Sequence, residues 1–391
     1  MLEYIRMCFF TQRNLEKQER EDLSVKKLKV SMLMLCLATA VFMGCGKEEA
    51  PQEEIVEETA TPTVEVAEPT EAQEEAPEGK VRSNTTYEWI DEEVANTRPI
   101  AVMFNNIEVA CPQTSISKAG VIYECNVEGN LTRLMGIIED WKGLEKIGSV
   151  RSCRDYYVYW AMEWDSIYCH FGGPELYVKE VLSRDDVDNL DGTILDGTVY
   201  YRTSDRKAPH NAYASGEGIL KGVEKYGFSL EHTERYSVLS PHFNFREASN
   251  QINLEGDGII PANKVTPGGY IVNKPWFEYN EEDGLYYRFQ YGKEHIDDLD
   301  GKQLAVKNII IQNTTGESRD AKDYKLFHVV DDTKTGYYIT NGKAMEITWN
   351  KTVDWDKTRY YDKNGNEISI NEGKTWICVV REDAKENTVI E

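Results

Sequence analysis

Much that would name a chemistry is missing from this sequence. No glycine-rich loop ends in Lys-Ser or Lys-Thr, and no Gly-x-Gly-x-x-Gly stands in the chain, so neither common nucleotide cradle is written into it. No Cys-x-x-Cys occurs, which argues against a zinc ribbon. No Gly-x-Ser-x-Gly elbow surrounds Ser152, the one serine that stands beside an arginine in a suggestive place. Positive charge is scarce: 44 Lys and Arg face 68 Asp and Glu, for a net charge of −24. An acidic body of that kind argues against non-specific nucleic-acid binding. The apolar run over residues 30–43 is also too short to cross a bilayer comfortably, since a spanning helix takes ~20 residues.

What that short run does have is context. Lys26, Lys27 and Lys29 precede it, and Gly44-Cys45 ends it. A basic stretch, a short apolar core and a small residue before cysteine form the layout of a lipoprotein signal peptide over residues 25–44. Cys45 is the expected lipid acceptor, because two acyl chains anchor a protein stably where one is marginal. Residues 1–24 are polar and charged, and read as an upstream extension ahead of a true start near Val25. Residues 48–78 hold twelve Glu and four Pro and no Lys or Arg. Such a segment buries too little apolar surface to offset chain entropy, and its like charges extend it. Residues 45–90 are therefore expected to be a disordered acidic stalk. The protein is expected on the extracytoplasmic face of a bacterial membrane, lipid-anchored, with a cell-wall polymer or another envelope protein as partner.

Residues 1–47 carry a net +3 and the glutamate-rich segment −12, leaving −15 of the total for residues 79–391. Within that body, residues 91–235 read as a mixed α/β domain. Apolar strands are expected over 99–105, 120–127, 133–138 and 166–170, and helices over 152–164, 174–182 and 215–226. In the first helix Tyr156, Trp160 and Trp164 recur every four residues, a stripe that fits a core face. Ser215 fits an N-cap, and Gly227 a left-handed stop. Residues 236–260 read as a connection. Residues 261–391 change character, with turn signals at 280–284, Asn341-Gly342 and Asn364-Gly365 between apolar strands. The expected class is α+β: helices on a sheet, then an all-β meander closed as a barrel or packed as a sandwich. Five cysteines remain in the body (Cys111, Cys125, Cys153, Cys169 and Cys378), an odd set without regular spacing, so free buried thiols are expected.

One ordered series of motifs carries more. Arg98-Pro-Ile-Ala-Val-Met-Phe-Asn-Asn106, Pro112-Gln113, Val121-Ile-Tyr-Glu124, Leu131-Thr-Arg133, Ile147-Gly-Ser-Val-Arg-Ser-Cys-Arg154, His170-Phe-Gly-Gly173 and Ala208-Pro-His-Asn211 resemble the YerB-like lipoproteins of Gram-positive bacteria. The resemblance spans most of residues 98–380 and implies an envelope lipoprotein without an assigned activity. Asn130 and Ser149 depart from the usual Gly and Pro of that pattern. The residues themselves point to an anion site. Arg133, Arg151, Ser152, Arg154 and Asn211 are the candidate ligand-binding residues, since arginines beside a helix start favour anions. Glu124, His170 and His210 are the candidates for proton transfer. The competing reading makes the same residues structural ion pairs and caps. His295 with Asp297 and Asp298 is a weaker cation candidate, more readily read as a hairpin end; no cofactor and no metal are expected. A binding or scaffolding role leads, with a hydrolase or transferase of wall glycan or peptide as the alternative.

Overall fold

The computed structural model describes residues 76–237 and 241–391. The extension, the signal peptide, Cys45 and the first part of the stalk lie outside the described residues. Among the described residues no helix is long and apolar enough to cross a membrane.

An 11-stranded mixed sheet organises the body. Its strands in chain order are β1 (Ile100–Phe104), β2 (Val121–Asn126), β3 (Thr132–Ile138), β4 (Ile167–His170), β5 (Asn189–Asp191), β6 (Ile260–Pro261), β7 (Asn308–Thr314), β8 (Asp331–Thr340), β9 (Lys343–Lys351), β10 (Arg359–Tyr361) and β11 (Thr375–Arg381). The order across the sheet is β6-β9-β8-β7-β11-β2-β3-β1-β4-β5, with β10 pairing β9. The seam lies at β11. It runs parallel to β7 on one side and to β2 on the other, so Cys378 stands opposite both Ile311 and Glu124. Strands of β1, β2, β3, β7 and β11 are buried almost throughout, as strands covered on both faces must be.

Three helices cover this sheet: α1 (Asp155–Met162), α2 (Glu175–Leu182) and α3 (Gly216–Tyr226). α1 and α2 bury their apolar sides on the face that carries Tyr123, Cys125, Met135 and Tyr168. α3 packs Ile219 and Val223 on the opposite face, together with Val265, Phe277 and Tyr286 of a second, six-stranded sheet. The Ser215 hydroxyl accepts from the Gly218 N–H at 3.1 Å, and Gly227 closes α3 in the left-handed conformation (φ 69°). Tyr156, Trp160 and Trp164 are fully buried, as a core stripe requires. At the end of α1 the Glu163 carboxylate accepts from Lys351 Nζ at 2.8 Å, His242 Nε2 at 2.7 Å and the Thr358 hydroxyl at 2.8 Å. That buried polar knot fastens the connecting segment to both α1 and β9.

The α+β reading holds in its coarse form: the body is mostly strand with a few helices, and the described residues form no closed barrel. The hairpins at 280–284 and Asn341-Gly342 form; the second is a two-residue turn with both φ angles positive. The Asn364-Gly365 turn also folds the chain back, with Tyr361 and Glu367 bridged antiparallel and Ile368 N–H donating to Tyr360 O at 2.9 Å, after which Ser369–Asn371 pairs in parallel with Asn244–Arg246 of the connection. The all-β part is not a body of its own, because its longest strands enter the same sheet as β1–β5. Composition changes along the chain, but an apolar strand can pair across that boundary as readily as within it. The expected stalk also ends sooner. Lys80–Arg82 and Trp89–Asp91 pair as an antiparallel ribbon, and the turn between them ties to Glu139 through the Thr85 hydroxyl at 2.6 Å. Thr85 and Thr86 are buried there, polar groups that composition alone assigned to solvent.

Candidate functional site

The candidate residues divide between the two faces of the sheet. Side chains alternate along a strand, and directly paired antiparallel residues share a face. Glu124 pairs with Leu134, while Arg133 pairs with Cys125. Glu124 and Arg133 therefore point to opposite faces, so the candidate proton-transfer residue Glu124 does not join the candidate anion-binding arginines.

Glu124 is fully buried on the face of the six-stranded sheet. Its Oε2 accepts from Arg288 Nη2 at 2.7 Å and from Trp376 Nε1 at 3.2 Å. Its Oε1 accepts from Thr132 Oγ1 and from Asn273 Nδ2, each at 2.8 Å. The Arg288 guanidinium is 1 % exposed and lies over the rings of Trp376 and Phe277. The network continues through Gln290 to Asn106 and through Gln113 to His295 Nε2. Every lone pair of the carboxylate thus has a donor, and the aromatic walls keep water out. Glu124 joins the two sheets; it is not poised to move a proton. The asparagine and glutamine motifs that drew attention in the sequence belong to this same buried network. The Asp297 carboxylate takes the backbone N–H groups of Ser115, Ser117 and Leu299, and Asp298 pairs with Lys146, so the His295 region is a hairpin end.

The arginines gather on the other face. Residues 149–154 run extended between β1 and β4, held by Arg151 N–H to Met103 O at 2.8 Å and Phe171 N–H to Arg151 O at 3.0 Å. Gly172 adopts φ 72°, and its carbonyl accepts from the Cys153 N–H at 2.9 Å. A side chain at Gly173 would place its Cβ 2.6 Å from the Cys153 sulfur, so the turn needs glycine there. This turn sets Arg154 immediately before α1, with Arg133 reaching from β3. Nη1 of Arg133 and Nη1 of Arg154 donate to the same Ser152 carbonyl, at 2.7 and 3.5 Å. Two guanidinium groups therefore share one carbonyl, the charge of Arg151 acts on them from the neighbouring segment, and one carboxylate answers them: Glu128 bonds Arg154 Nε at 2.7 Å and also meets its Nη2. Arg133 and Arg151 form no ion pair among the described residues, and the buried Nε of each lacks a partner. Arg133 is 5 % exposed. Burial first, then the charges of Arg154 and Arg151, bring its guanidinium down to about 9. Burial and Arg154 lower Arg151 likewise. In Arg154 the Glu128 carboxylate outweighs burial and the shift is upward.

His170 belongs to this face but not as a base. Its Nδ1 meets the Gly172 carbonyl at 2.9 Å and its Nε2 meets Asn189 Oδ1 at 3.2 Å. The Asn189 amide is fixed in that sense because its Nδ2 donates to Leu182 O at 3.0 Å. Two acceptors on two ring nitrogens hold the imidazolium form. Burial alone would lower the group; Cys153, Asp191 and the Gly172 carbonyl outweigh it and raise it to about 9. His210 lies at the rim, its Nδ1 facing Asn105 Nδ2 at 3.0 Å. Burial, then Arg151 and Arg206, lower it, which favours the neutral ring. Asn105 Oδ1 and the Ser149 hydroxyl are buried nearby without partners. Asn211 is spent on its own loop, donating to Thr203 O and accepting from Arg202. Ser152 supplies the carbonyl that two arginines share.

The five body cysteines are free thiols. Sequence reasoning found the arginines and missed Arg288, Asn273 and Trp376, which reach Glu124 from about 150 to 250 residues away. No local pattern signals a partner at that separation.

Comparison with known proteins places the chain beside proteins whose activity is also open. Residues 85–229 match the family described as protein of unknown function (DUF3048) N-terminal domain, and residues 268–377 its C-terminal domain. A Bacillus subtilis (strain 168) protein named "Putative lipoprotein YerB" is 29% identical over 301 residues, 77% of this chain and 86% of that one. The crystal structure of the YerB protein from Bacillus subtilis superposes with a TM-score of 0.69 at 26% identity, covering 80% of this chain and 100% of that chain.

Proposed function

The chain belongs to the DUF3048 family, and from that premise we propose a lipid-anchored binding protein of the cell envelope whose site, formed by Arg133, Arg151 and Arg154, takes an anion. One observation carries the reading: two of the three guanidinium groups have no carboxylate, and one of those two is nine-tenths buried. A buried charge is expensive unless it is paired. An anionic ligand supplies what the fold withholds, and guanidinium groups match carboxylate or phosphate oxygens in pairs. His210 and Asn105 stand at the rim, where they orient the remainder of the ligand. The basic residues before the short apolar run, the Gly44-Cys45 step and the name of the Bacillus relative support the anchor and an extracytoplasmic address. An anionic wall polymer or an acidic patch of an envelope protein fits such a site. The alternative of wall hydrolysis loses support, because Glu124 is sequestered and His170 is held as a cation.

Two substitutions test the proposal in the full-length protein. Cys45→Ser is expected to release it from membranes into the soluble fraction; continued firm attachment would mean that the apolar run itself is the anchor. Arg151→Gln is expected to abolish retention on purified envelope fragments while the melting temperature stays unchanged. Retention at the wild-type level would sink the anion site.

A further inference from the structure

We infer that a cleft over the ends of β8 and β9, on the sheet face opposite the arginine cluster, binds a neutral glycan strand. The inference stands on its own residues and not on the anion-site reading. Three strands build the floor in rows, because directly paired antiparallel residues share a face. Ile309, Ile339 and Ala344 form one row, buried in the core shared with the six-stranded sheet. Ile311, Tyr337 and Glu346 form the next. Asn313 of β7, with Thr335 of β8 and Thr348 of β9, forms the third. One face thus turns from apolar to polar along its length. The polar rows line a cleft of about 550 Å³, together with Lys385, Glu386 and Ile390 from the C-terminal edge of the six-stranded sheet. That volume falls within the ~300–1,000 Å³ of ordinary small-molecule sites.

The groups left open in this cleft accept rather than donate. Asn313 is 4 % exposed; its Nδ2 donates to Thr335 Oγ1 at 3.2 Å, and its Oδ1 has no partner among the described residues. A buried amide oxygen without a donor is costly, and a ligand hydroxyl supplies one. The Tyr337 hydroxyl reaches Glu346 Oε1 only at 3.5 Å, which leaves that exposed carboxylate most of its capacity. Both lining lysines are already engaged: Lys385 Nζ meets Glu382 Oε1 at 2.6 Å, and Lys363 Nζ donates to Asp257 O at 3.2 Å. Glu346 and Glu386 balance Lys363 and Lys385, so the lining carries no net charge. A carboxylate or phosphate finds no spare cation there. A neutral ligand rich in hydroxyl donors finds spare oxygens. Burial first, then Glu346, raise the Tyr337 phenol, and the charges of Glu386 and Lys385 also act on it. Both walls therefore face one aromatic ring. A sugar ring has a face of C–H groups and a rim of hydroxyls. The face packs on Tyr337 and the lining Ile260 and Ile390, and the rim donates to Asn313 and Glu346.

The experiment titrates the full-length protein by calorimetry, in a detergent without a sugar head group. The probes are cellotetraose, the matching tetramer of N-acetylglucosamine, and the deacetylated, cationic form of the latter. Saturable binding of one or both neutral tetramers is expected. Tyr337→Leu should weaken it about fivefold, the loss of one aromatic contact. Glu346→Ala, at an exposed position, should weaken it at least about tenfold, as loss of a charged acceptor does, with the melting temperature unchanged. Arg151→Gln should leave glycan affinity unaltered, which separates this cleft from the anion site. Failure of both neutral tetramers to bind would overturn the inference. So would binding of the cationic tetramer alone, which marks a site for amines. Equal glycan affinity in the wild type and Glu346→Ala would place the ligand elsewhere and overturn it too.

Discussion

Two polar clusters lie back to back across β2 and β3, and they are built on opposite terms. On one face Glu124 and Arg288 balance in charge, and the carboxylate takes the guanidinium and three further donors, while Arg288 Nε and Asn273 Oδ1 lack partners. On the other, Arg133 and Arg154 share one carbonyl, Arg151 adds its charge from the neighbouring segment, one carboxylate answers them, and two Nε atoms are left over. The contrast teaches that the presence of charged residues in a core says little about function. Their pairing says more. A network whose charges pair is architecture, whereas a cluster of a single sign is the feature on which the proposed site rests.

The comparison breaks most easily at Glu124. Glu124→Gln leaves Arg288 charged and buried among Trp376 and Phe277, and removing one partner of a buried pair costs about 3–5 kcal/mol. Denaturant unfolding should show that loss, and replacing both partners by apolar residues should recover much of it. A loss below about 1 kcal/mol for Glu124→Gln would mean that Glu124 and Arg288 are not the buried ion pair described.

Acid and alkali should next separate the Glu163 knot from the His170 end of the arginine cluster, both on the helix-covered face. Lys351 and His242 outweigh burial and hold Glu163 down to about 2, against its ordinary 4.5. Burial outweighs the Glu163 interaction and lowers His242 from 6.5 to about 4. Both folded values are depressed, so the unfolded chain binds more protons. The stability from His242 fades as pH falls from 6.5 to about 4, and that from Glu163 as it falls from 4.5 to about 2. His170 has the opposite sign. Its folded value is raised from 6.5 to about 9, so its contribution is full below 6.5 and is lost as pH rises through 9. Melting temperature against pH should therefore decline on both sides. His242→Gln should flatten the acid limb, and His170→Gln the alkaline one. An alkaline limb unchanged by His170→Gln would show that the ring is not the buried cation its two acceptors require.

Smaller effects sharpen the same contrast. Arg133→Met removes an unpaired buried charge at the expense of one hydrogen bond to Ser152 O, so stability should change by no more than about 1 kcal/mol in either direction. The corresponding loss at Arg288 should be several times larger. Arg151→Gln, at a partly buried position without a side-chain partner among the described residues, should stay within about 0.5 kcal/mol of wild type. Equal destabilisation by the Arg133 and Arg288 substitutions would erase the distinction between the faces.

Much of this was legible in the sequence where the signal is local. The α1 stripe, the Ser215 cap, the Gly227 stop and the Asn341-Gly342 turn are all short-range features, and each is where its residues place it. Arg133, Arg151 and Arg154 were legible as a group because a strand end and a helix start meet at one edge. What failed was any inference across distance. Nothing near Val121-Ile-Tyr-Glu124 announces Arg288, since long-range pairing leaves no periodic mark. The continuous sheet was hidden for the same reason: β11 reads as an ordinary apolar strand, and only its parallel neighbours reveal it as the seam. His170 was misjudged because its ionisation is set by burial and by Cys153, Asp191 and the Gly172 carbonyl, which only the folded chain brings beside it.

The most direct test of the account is the melting temperature of the wild-type protein and of Arg151→Gln, with and without a saturating anion. A ligand present at about 100 times its dissociation constant stabilises by about 2.7 kcal/mol. The account predicts that phenyl phosphate raises the wild-type melting temperature by several degrees. It predicts that Arg151→Gln starts from the same temperature and does not rise. An equal rise in both proteins, or none in the wild type, would contradict the claim that the unsatisfied arginine face is the binding site.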